Sequence, residues 1–271
     1  MTDRLSWAPS EIDPTVPSIA RVYDYVLGGG HNFEADRQLA RYMEENLPGV
    51  HDMARLNRSF LRRAVRFMVD SGVRQFLDIG SGIPTVGNVH EIAQGIDPAC
   101  RVVYVDKEPI ATTHAKALLR ENDRADAFQA DVRAPDDLLG RPEIARLLDF
   151  DEPIGLLNLL LWHLVPDADD PLSLCARYRD VLAPGSFLAI SHATMDSDSD
   201  ALRTSMDNYQ RSVRTTVFFR NKQEIREFFD GFELVEPGVV NFAAWRPEGP
   251  GDFSDNALAN AVCYVGVGRK P

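Results

Sequence analysis

The sequence predicts an α/β fold: a doubly wound, mostly parallel sheet of seven strands, Rossmann-like, behind an N-terminal helical extension. From residue 75 onward, short apolar runs alternate with longer helical patterns, the order typical of βαβ units and a parallel sheet. The apolar run at 154–161 lacks polar alternation, as a central strand covered on both faces requires. We therefore expect a helical extension or lid at 1–72 and a sheet domain at 73–271.

Three amphipathic segments make up the predicted extension. A polar arm at 1–16 contains prolines and is expected to be loose. The first helix is predicted to begin at Ser18 and to end at the triple glycine 28–30, which could act as a hinge. Asn32 is placed to cap a second helix, and a third helix is predicted over 51–71.

The first predicted strand leads directly into a glycine turn. Its run at 75–79 contains Asp78 and is followed by Gly80 and Gly82, after which Pro84 suits the first turn of a helix. Glycine lets the backbone turn sharply and approach a ligand with no side chain between. A strand, a turn and a helix start together present N–H groups and a positive helix end to a ligand. Alone, this turn identifies no ligand.

Acids also follow the next two predicted strands. Asp106 ends the run that begins at 101, and Asp131 follows the run at 127–130. Because ligands of open α/β sheets bind at the carboxyl ends of the strands, both acids are expected beside Asp78 at that edge. Any one of them could be only a helix N-cap. The three acids and the glycine turn together predict a nucleoside site.

Two classes of nucleoside ligand fit such a site. A dinucleotide fingerprint requires a third glycine where this chain has Thr85, and it does not require an acid before the turn. The acid-x-Gly-x-Gly turn, with acids after the next two strands, resembles motifs I to III of the class I methyltransferases. That resemblance implies S-adenosyl-L-methionine as the cofactor. A methyltransferase is therefore favoured over a nicotinamide-dependent dehydrogenase.

Composition excludes several other classes. The formal net charge of −12 argues against general binding to nucleic acid or to an anionic membrane, because both need basic surface. The basic residues of 55–66 are predicted to form a solvated helix face. Three scattered cysteines without metal-ligand spacing indicate reduced, buried thiols, and no metal is expected. With no signal peptide and no bilayer-length apolar stretch, the expected location is cytoplasmic.

A more specific resemblance covers nearly the whole chain. The segments 20–37, 57–64, 75–80, 88–91 and 224–238 resemble those of an actinobacterial S-adenosylmethionine-dependent methyltransferase family, long classed as a domain of unknown function. The block around the triple glycine is the most specific part. The resemblance implies the class I methyltransferase fold and its cofactor, but it implies no substrate.

Site residues follow from these patterns and from the resemblance. Asp106 is expected to accept the ribose hydroxyls, Asp131 and the Val132 amide to face the adenine edge, and Arg58 to bind the methionine carboxylate. The expected cofactor-binding residues are Asp78, Gly80, Ser81, Gly82, Asp106, Asp131, Val132, Asn158, His31, Asn32 and Arg58, and the expected catalytic residues are His163, Tyr23 and Asp24.

The function expected from the sequence is methylation of a small-molecule acceptor. His163, just after the fourth predicted strand, is either a general base or a hydrogen-bonded histidine at a strand end. The Asp/Asn-Pro-Pro-aromatic motif is absent at 160–164, which counts against adenine-N6 and glutamine-amide acceptors. The alternative is a non-catalytic, cofactor-sensing or scaffold protein of the same fold. The acceptor atom and the oligomeric state are not determined by the sequence.

Overall fold

A computed structural model of the chain describes residues 12–46, 49–85, 87–196 and 217–271. Its strands form one sheet in the order β3-β2-β1-β4-β5-β8-β6, with β7 also paired to β8. Neighbours among β1 to β5 are parallel, and β8 runs antiparallel to β5. The strands are β1 (Gln75–Ile79), β2 (Arg101–Asp106), β3 (Ala125–Gln129), β4 (Ile154–Leu159), β5 (Phe187–Ala193), β6 (Glu233–Leu234), β7 (Val240–Asn241) and β8 (Cys263–Arg269).

Helices cover both faces of this sheet. The α-helices among the described residues are α1 (Ile19–Val26), α2 (Glu34–Asn46), α3 (Val50–Asp70), α4 (Val89–Ile96), α5 (Pro109–Leu118), α6 (Pro135–Leu139), α7 (Pro142–Leu147), α8 (Pro171–Asp180), α9 (Lys222–Glu227) and α10 (Ala257–Ala261). One face packs against α3 and α4, and the other against α7 and α8. The predicted doubly wound, mostly parallel sheet is confirmed. None of the described helices is both long and apolar enough to cross a membrane.

The parallel register brings the tips of the first three strands together. Ile79 lies opposite Val105, and Val105 lies opposite Phe128. The residues that follow each strand therefore emerge at the same edge, where a ligand of an open α/β sheet binds.

The prediction of seven strands was wrong in one segment. The apolar run at 232–240 predicts one strand, but it contains the two-residue β6 and, after a turn, the first residue of β7. Pro237 has no N–H to donate to a ladder, and Gly238 has a φ of 82°, with its N–H bonded to the Val235 carbonyl in a turn. The sheet therefore has eight strands among the described residues.

The third helix is part of the sheet's covering layer. Leu56, Phe60 and Met68 of α3 are fully buried in the cluster that contains Phe76 of β1. The basic stretch at 55–66 is the predicted solvated face only in part, because Arg55 and Arg66 are exposed whereas Arg63 is buried. Arg63 is 2% exposed and donates to the carbonyl of Phe242 at 2.9 Å. Arg62 pairs with Glu248 at 2.6 Å, so these cations hold the segment before β8 against α3.

Local sequence patterns differ in how well they predict the structure. Asn221 followed by Glu224 predicts a capping box, and the two residues form it at the start of α9. The three cysteines are buried and unpaired, as expected. Asn32 is not the predicted cap of α2, because the helix begins two residues later at Glu34 and the Asn32 Oδ1 accepts from the Arg37 side chain instead of from a backbone N–H. The polar pattern at 195–212 predicts a further helix, and this segment falls almost wholly outside the described residues.

Candidate functional site

The glycine turn after β1 adopts a conformation that favours glycine. Gly80 has a φ of 77° and Gly82 a φ of 66°, both in the left-handed region. A β-carbon at Gly80 would lie 2.8 Å from the Leu161 side chain, whereas one at Gly82 would meet no atom of the described residues within 4 Å. Gly80 therefore permits a close approach to the segment after β4, and the turn is open at Gly82.

Asp106 fixes this turn with its carboxylate. Its Oδ2 accepts the Gly82 N–H at 2.7 Å, and its Oδ1 accepts the Glu108 N–H at 2.8 Å. Burial raises the pKa of Asp106, and the two backbone hydrogen bonds oppose that rise. Each carboxylate oxygen has a second lone pair, so the group can still accept hydrogen bonds from a bound ligand.

Asp78 lies beside the turn in surroundings that favour its ionised form less than those of Asp106 do. Its residue is 8% exposed, and its carboxyl group receives no hydrogen bond from the residues that the structure describes. Burial raises its pKa to about 7, the nearby cation Arg58 opposes the rise, and Asp106 adds to it. A positively charged ligand group at this position would stabilise the ionised form of Asp78.

Asp131 and Val132 follow β3 at the same edge. Arg133 lies against Asp131, with its Nη2 2.6 Å from Oδ2, and this hydrogen bond lowers the pKa of Asp131. Tyr178 of α8 donates to the Val132 carbonyl at 2.8 Å and so holds this segment against α8. The surroundings of Asp131 therefore favour its ionised form, in contrast to those of Asp78.

These residues line one cavity of about 630 Å³. One part of its wall is the sheet edge, with Asp78, Gly80, Gly82, Asp106 and Asp131. The other part comes from α1, α2 and α3. A volume of this size is within the range of small-molecule and cofactor sites, roughly 300–1,000 Å³.

Tyr23 lines the cavity and belongs to a hydrogen-bonded path. Its hydroxyl accepts from Asn57 Nδ2 at 3.0 Å and donates to the Ala54 carbonyl at 3.3 Å. Ser191 in turn donates to Asn57 Oδ1 at 2.7 Å and accepts the Leu160 N–H at 2.9 Å. Burial raises the pKa of Tyr23, so its hydroxyl is neutral. The path connects α1 to the ends of β4 and β5.

His163 also lines the cavity, in a setting that keeps it neutral. Burial holds its pKa well below the usual value, and His192 and Arg220 lower it further. Its Nδ1 accepts the Ala193 N–H at 3.4 Å, so the ring proton lies on Nε2. Arg220 donates to His192 at 3.0 Å and to the Trp162 carbonyl at 3.0 Å. His163 can therefore donate a hydrogen bond more readily than it can take up a proton.

Four of the expected site residues do not line the cavity. Asp24 is 1% exposed and accepts the His31 N–H at 2.8 Å and the Asn32 amide at 2.9 Å, so it anchors the loop after α1. Asn158 is fully buried in β4, and its Nδ2 donates to the Leu157 carbonyl at 2.9 Å. The four residues outside the cavity lining are thus Asp24, His31, Asn32 and Asn158, which lie in supporting positions. Tyr23, Arg58 and His163 do line the cavity.

Sequence reasoning missed part of the cavity wall. The segment 12–20, most of it assigned to a loose arm, lines the site, as do Met43 of α2 and Phe219. Leu160 has a φ of 51°, unusual for a residue with a side chain and located where β4 ends at the cavity. Neither a helix pattern nor a strand pattern indicates which apolar residues face a cavity instead of the core.

Comparison with known proteins identifies the family. A model of the S-adenosyl methyltransferase family matches residues 5–271. The crystal structure of a candidate methyltransferase from Thermobifida fusca YX shares 41% identity and a TM-score of 0.90, covering 98% of this chain and 99% of that one. A DUF574 family protein from Streptomyces avermitilis MA-4680 shares 35% identity and a TM-score of 0.90, covering 96% and 99%.

More distant comparisons add only the fold. The CurJ carbon methyltransferase shares 15% identity and a TM-score of 0.51, covering 96% of this chain and 61% of that one. None of the curated proteins compared with the chain matches it. The family model and the two similar crystal structures span nearly the full length, and the chain belongs to the S-adenosyl methyltransferase family, with S-adenosyl-L-methionine as its cofactor.

Proposed function

We propose that this methyltransferase acts on a small-molecule acceptor bound inside the cavity, between the sheet edge and helices α1 to α3. One observation carries the proposal: side chains that are almost fully buried form the part of the cavity wall that α1 and α3 contribute. Val22 is 2% exposed, Val50 2% and Leu61 2%, and all three line the cavity. A buried apolar wall with a few convergent polar groups is typical of a site for a small ligand.

The residues at the sheet edge fit the cofactor. Among the residues that the structure describes, Gly82 has no atom within 4 Å of where a β-carbon would be, so the turn has room for the cofactor's methionine portion. Asp106 would accept the ribose hydroxyls, and Asp131 with the Val132 amide would face the adenine. Asp78 and Arg58 have opposite charges and both line the cavity, so they would bind the ammonium and the carboxylate of the methionine group.

The work of these residues is mainly positioning. The cofactor supplies a sulfonium-bound methyl group that is transferred by in-line displacement. Holding two reactants in line lowers the barrier without any charged catalytic group. Tyr23 and His163 line the cavity as neutral hydrogen-bonding groups, suited to orient an acceptor.

Asp106→Ala tests the cofactor assignment. Hydrogen bonds to a charged acceptor contribute roughly 1.5–3 kcal/mol each, so the variant should bind S-adenosylhomocysteine at least about tenfold more weakly. Isothermal titration calorimetry measures this directly. Asp123→Asn, at an exposed acid outside the cavity lining, is the matched control and should bind normally. Unchanged affinity in Asp106→Ala would remove Asp106 from the site.

Transfer of a labelled methyl group tests the acceptor class. The protein is incubated with methyl-labelled S-adenosylmethionine and an actinobacterial cell extract, which is separated by ultrafiltration into small-molecule and macromolecular fractions. Label is expected in the small-molecule fraction, together with release of S-adenosylhomocysteine. Label in protein or nucleic acid would contradict the proposal. Cofactor binding without any release would favour a cofactor-sensing protein instead.

A further inference from the structure

The wall of the cavity under α1 to α3 is apolar. Val22, Val26, Met43, Val50 and Val217 pack in one cluster and also line the cavity. We call the part of the cavity lined by these five residues the acceptor chamber. Such a surface favours an apolar ligand, because binding removes apolar area of the ligand and of the chamber from water.

Charged groups lie elsewhere on the cavity wall. Those at the sheet edge belong to the cofactor part of the site, and Arg58 is beside Asp78. Arg21 also lines the cavity, but its guanidinium is 2.8 Å from Asp36 and is already neutralised there. A charged acceptor in the chamber would lose its hydration without gaining an opposite charge, which is costly. The chamber therefore selects for an uncharged molecule.

Tyr23 packs against this cluster, lines the cavity and has one remaining hydrogen-bonding capacity. A phenol oxygen has one proton and two lone pairs. The Tyr23 proton is directed to Ala54, and one lone pair accepts from Asn57. Asn57 is itself bonded to Ser191, whose oxygen also accepts the Leu160 N–H, so the far end of the path is held by a backbone donor. Tyr23 is left able to accept a hydrogen bond but not to donate one.

His163 offers the opposite capacity. Because its Nδ1 accepts the Ala193 N–H, its Nε2 carries the proton and can donate. A single group of the substrate that bonds to both residues must donate a hydrogen bond to Tyr23 and accept one from His163. An uncharged hydroxyl is the simplest such group.

We infer that the methyl acceptor is an uncharged, mostly apolar molecule with a hydroxyl group that donates a hydrogen bond to Tyr23. This inference rests on the proposed function and specifies its substrate class. Tyr23 is a specificity-determining residue in this assignment, and Asn57 is a positioning residue that acts through it.

Equilibrium dialysis of three naphthalene probes against the protein saturated with S-adenosylhomocysteine tests the inference. The probe 2-naphthol can donate a hydrogen bond, 2-methoxynaphthalene has the oxygen without the proton, and 2-naphthoate is charged. We expect 2-naphthol to bind about tenfold more tightly than 2-methoxynaphthalene. We expect 2-naphthoate to bind more weakly than both, by at least about tenfold.

Two variants assign the selectivity to its residue. Tyr23→Phe should reduce the preference for 2-naphthol over 2-methoxynaphthalene to about twofold or less while retaining binding of 2-methoxynaphthalene. Tyr25→Phe, on the same helix but outside the cavity lining, should keep the preference. Equal or tighter binding of 2-naphthoate, an unchanged preference in Tyr23→Phe, or no binding of any probe would overturn the inference. Failure of S-adenosylhomocysteine itself to bind would instead refute the proposed function.

Discussion

At the scale of single residues, the two buried acids of the site differ in what holds them. Asp106 has a backbone N–H at each oxygen, whereas among the described groups only Arg58 favours the ionised form of Asp78. Asp78 therefore changes charge near neutral pH, and Asp106 keeps its hydrogen bonds in the turn. A ligand cation beside Asp78 would stabilise its ionised carboxylate, which burial disfavours.

The pH dependence of cofactor binding should report on Asp78. Its pKa is about 7 in the free protein, and a bound ammonium would lower it. Binding then releases a proton, so affinity should rise with pH up to about 7 and level off above that, changing by at most about tenfold per pH unit. Calorimetry with S-adenosylhomocysteine between about pH 5.5 and pH 8 measures this dependence.

Asp78→Asn separates the titration of Asp78 from that of the ligand. The variant has no carboxyl group at this position, so the remaining pH dependence belongs to the cofactor and to other groups. If the wild type and the variant show the same slope below pH 7, Asp78 does not face the ammonium.

Much of this residue-level picture could be predicted. The acids and glycines after β1, β2 and β3 are specified by strand ends and parallel register, which are local and periodic features. Asp24 and Asn158 could not be placed in the same way. Whether a polar side chain anchors a loop or faces a cavity depends on which remote segments pack against it, and no local pattern records that.

At the scale of elements, the glycine turn has two glycines with different requirements. Both have positive φ, but only Gly80 is also close to Leu161. At Gly82 only the backbone conformation favours glycine. At Gly80 both the conformation and the contact with Leu161 favour it. The spacing of the glycines was evident in the sequence, whereas the contact with Leu161 was not.

Paired substitutions should separate these two requirements. Gly82→Ala should lower the free energy of unfolding by roughly 1–2 kcal/mol, the cost of a left-handed backbone for a residue with a side chain. Gly80→Ala should cost more, because its β-carbon would lie 2.8 Å from Leu161. Adding Leu161→Ala should recover part of the difference, measured by urea unfolding. Equal costs for the two single variants would show that the contact is unimportant.

The larger elements were predicted best where periodicity was long. The strands β1 to β5 and the helices α1 to α3 were all expected from their patterns, with ends that differ by a residue or two. The segment at 232–240 failed because an apolar run conceals a turn at Pro237 and Gly238. The role of α3 also required the structure, since an amphipathic helix does not show which surface it covers.

At the scale of the whole molecule, the cavity joins two parts of the chain that are distant in sequence. The sheet edge contributes its charged and polar groups, and the N-terminal helices contribute its apolar wall. The path from Tyr23 through Asn57 and Ser191 to Leu160 connects the two parts by hydrogen bonds. Cofactor binding is therefore expected to affect the N-terminal helices as well as the sheet.

Amide hydrogen exchange should detect this connection. S-adenosylhomocysteine should slow exchange in α1, which lines the cavity, because ligand binding opposes local opening of the segments it contacts. Helix α8 lies on the far face and outside the cavity lining, so its exchange should change little and serves as the internal control. Protection confined to the strand tips, with none in α1, would contradict a covering role for the extension.

The loop that follows α1 makes different demands on its three consecutive glycines. Gly28 has a φ of 81°, and a β-carbon at Gly29 would collide with the Asp24 carboxylate, yet Gly30 has neither constraint. The triplet is therefore not three copies of one requirement for flexibility. A chain with Gly-Gly-Ala at this place would keep the Asp24 anchor, whereas Gly-Ala-Gly would displace it.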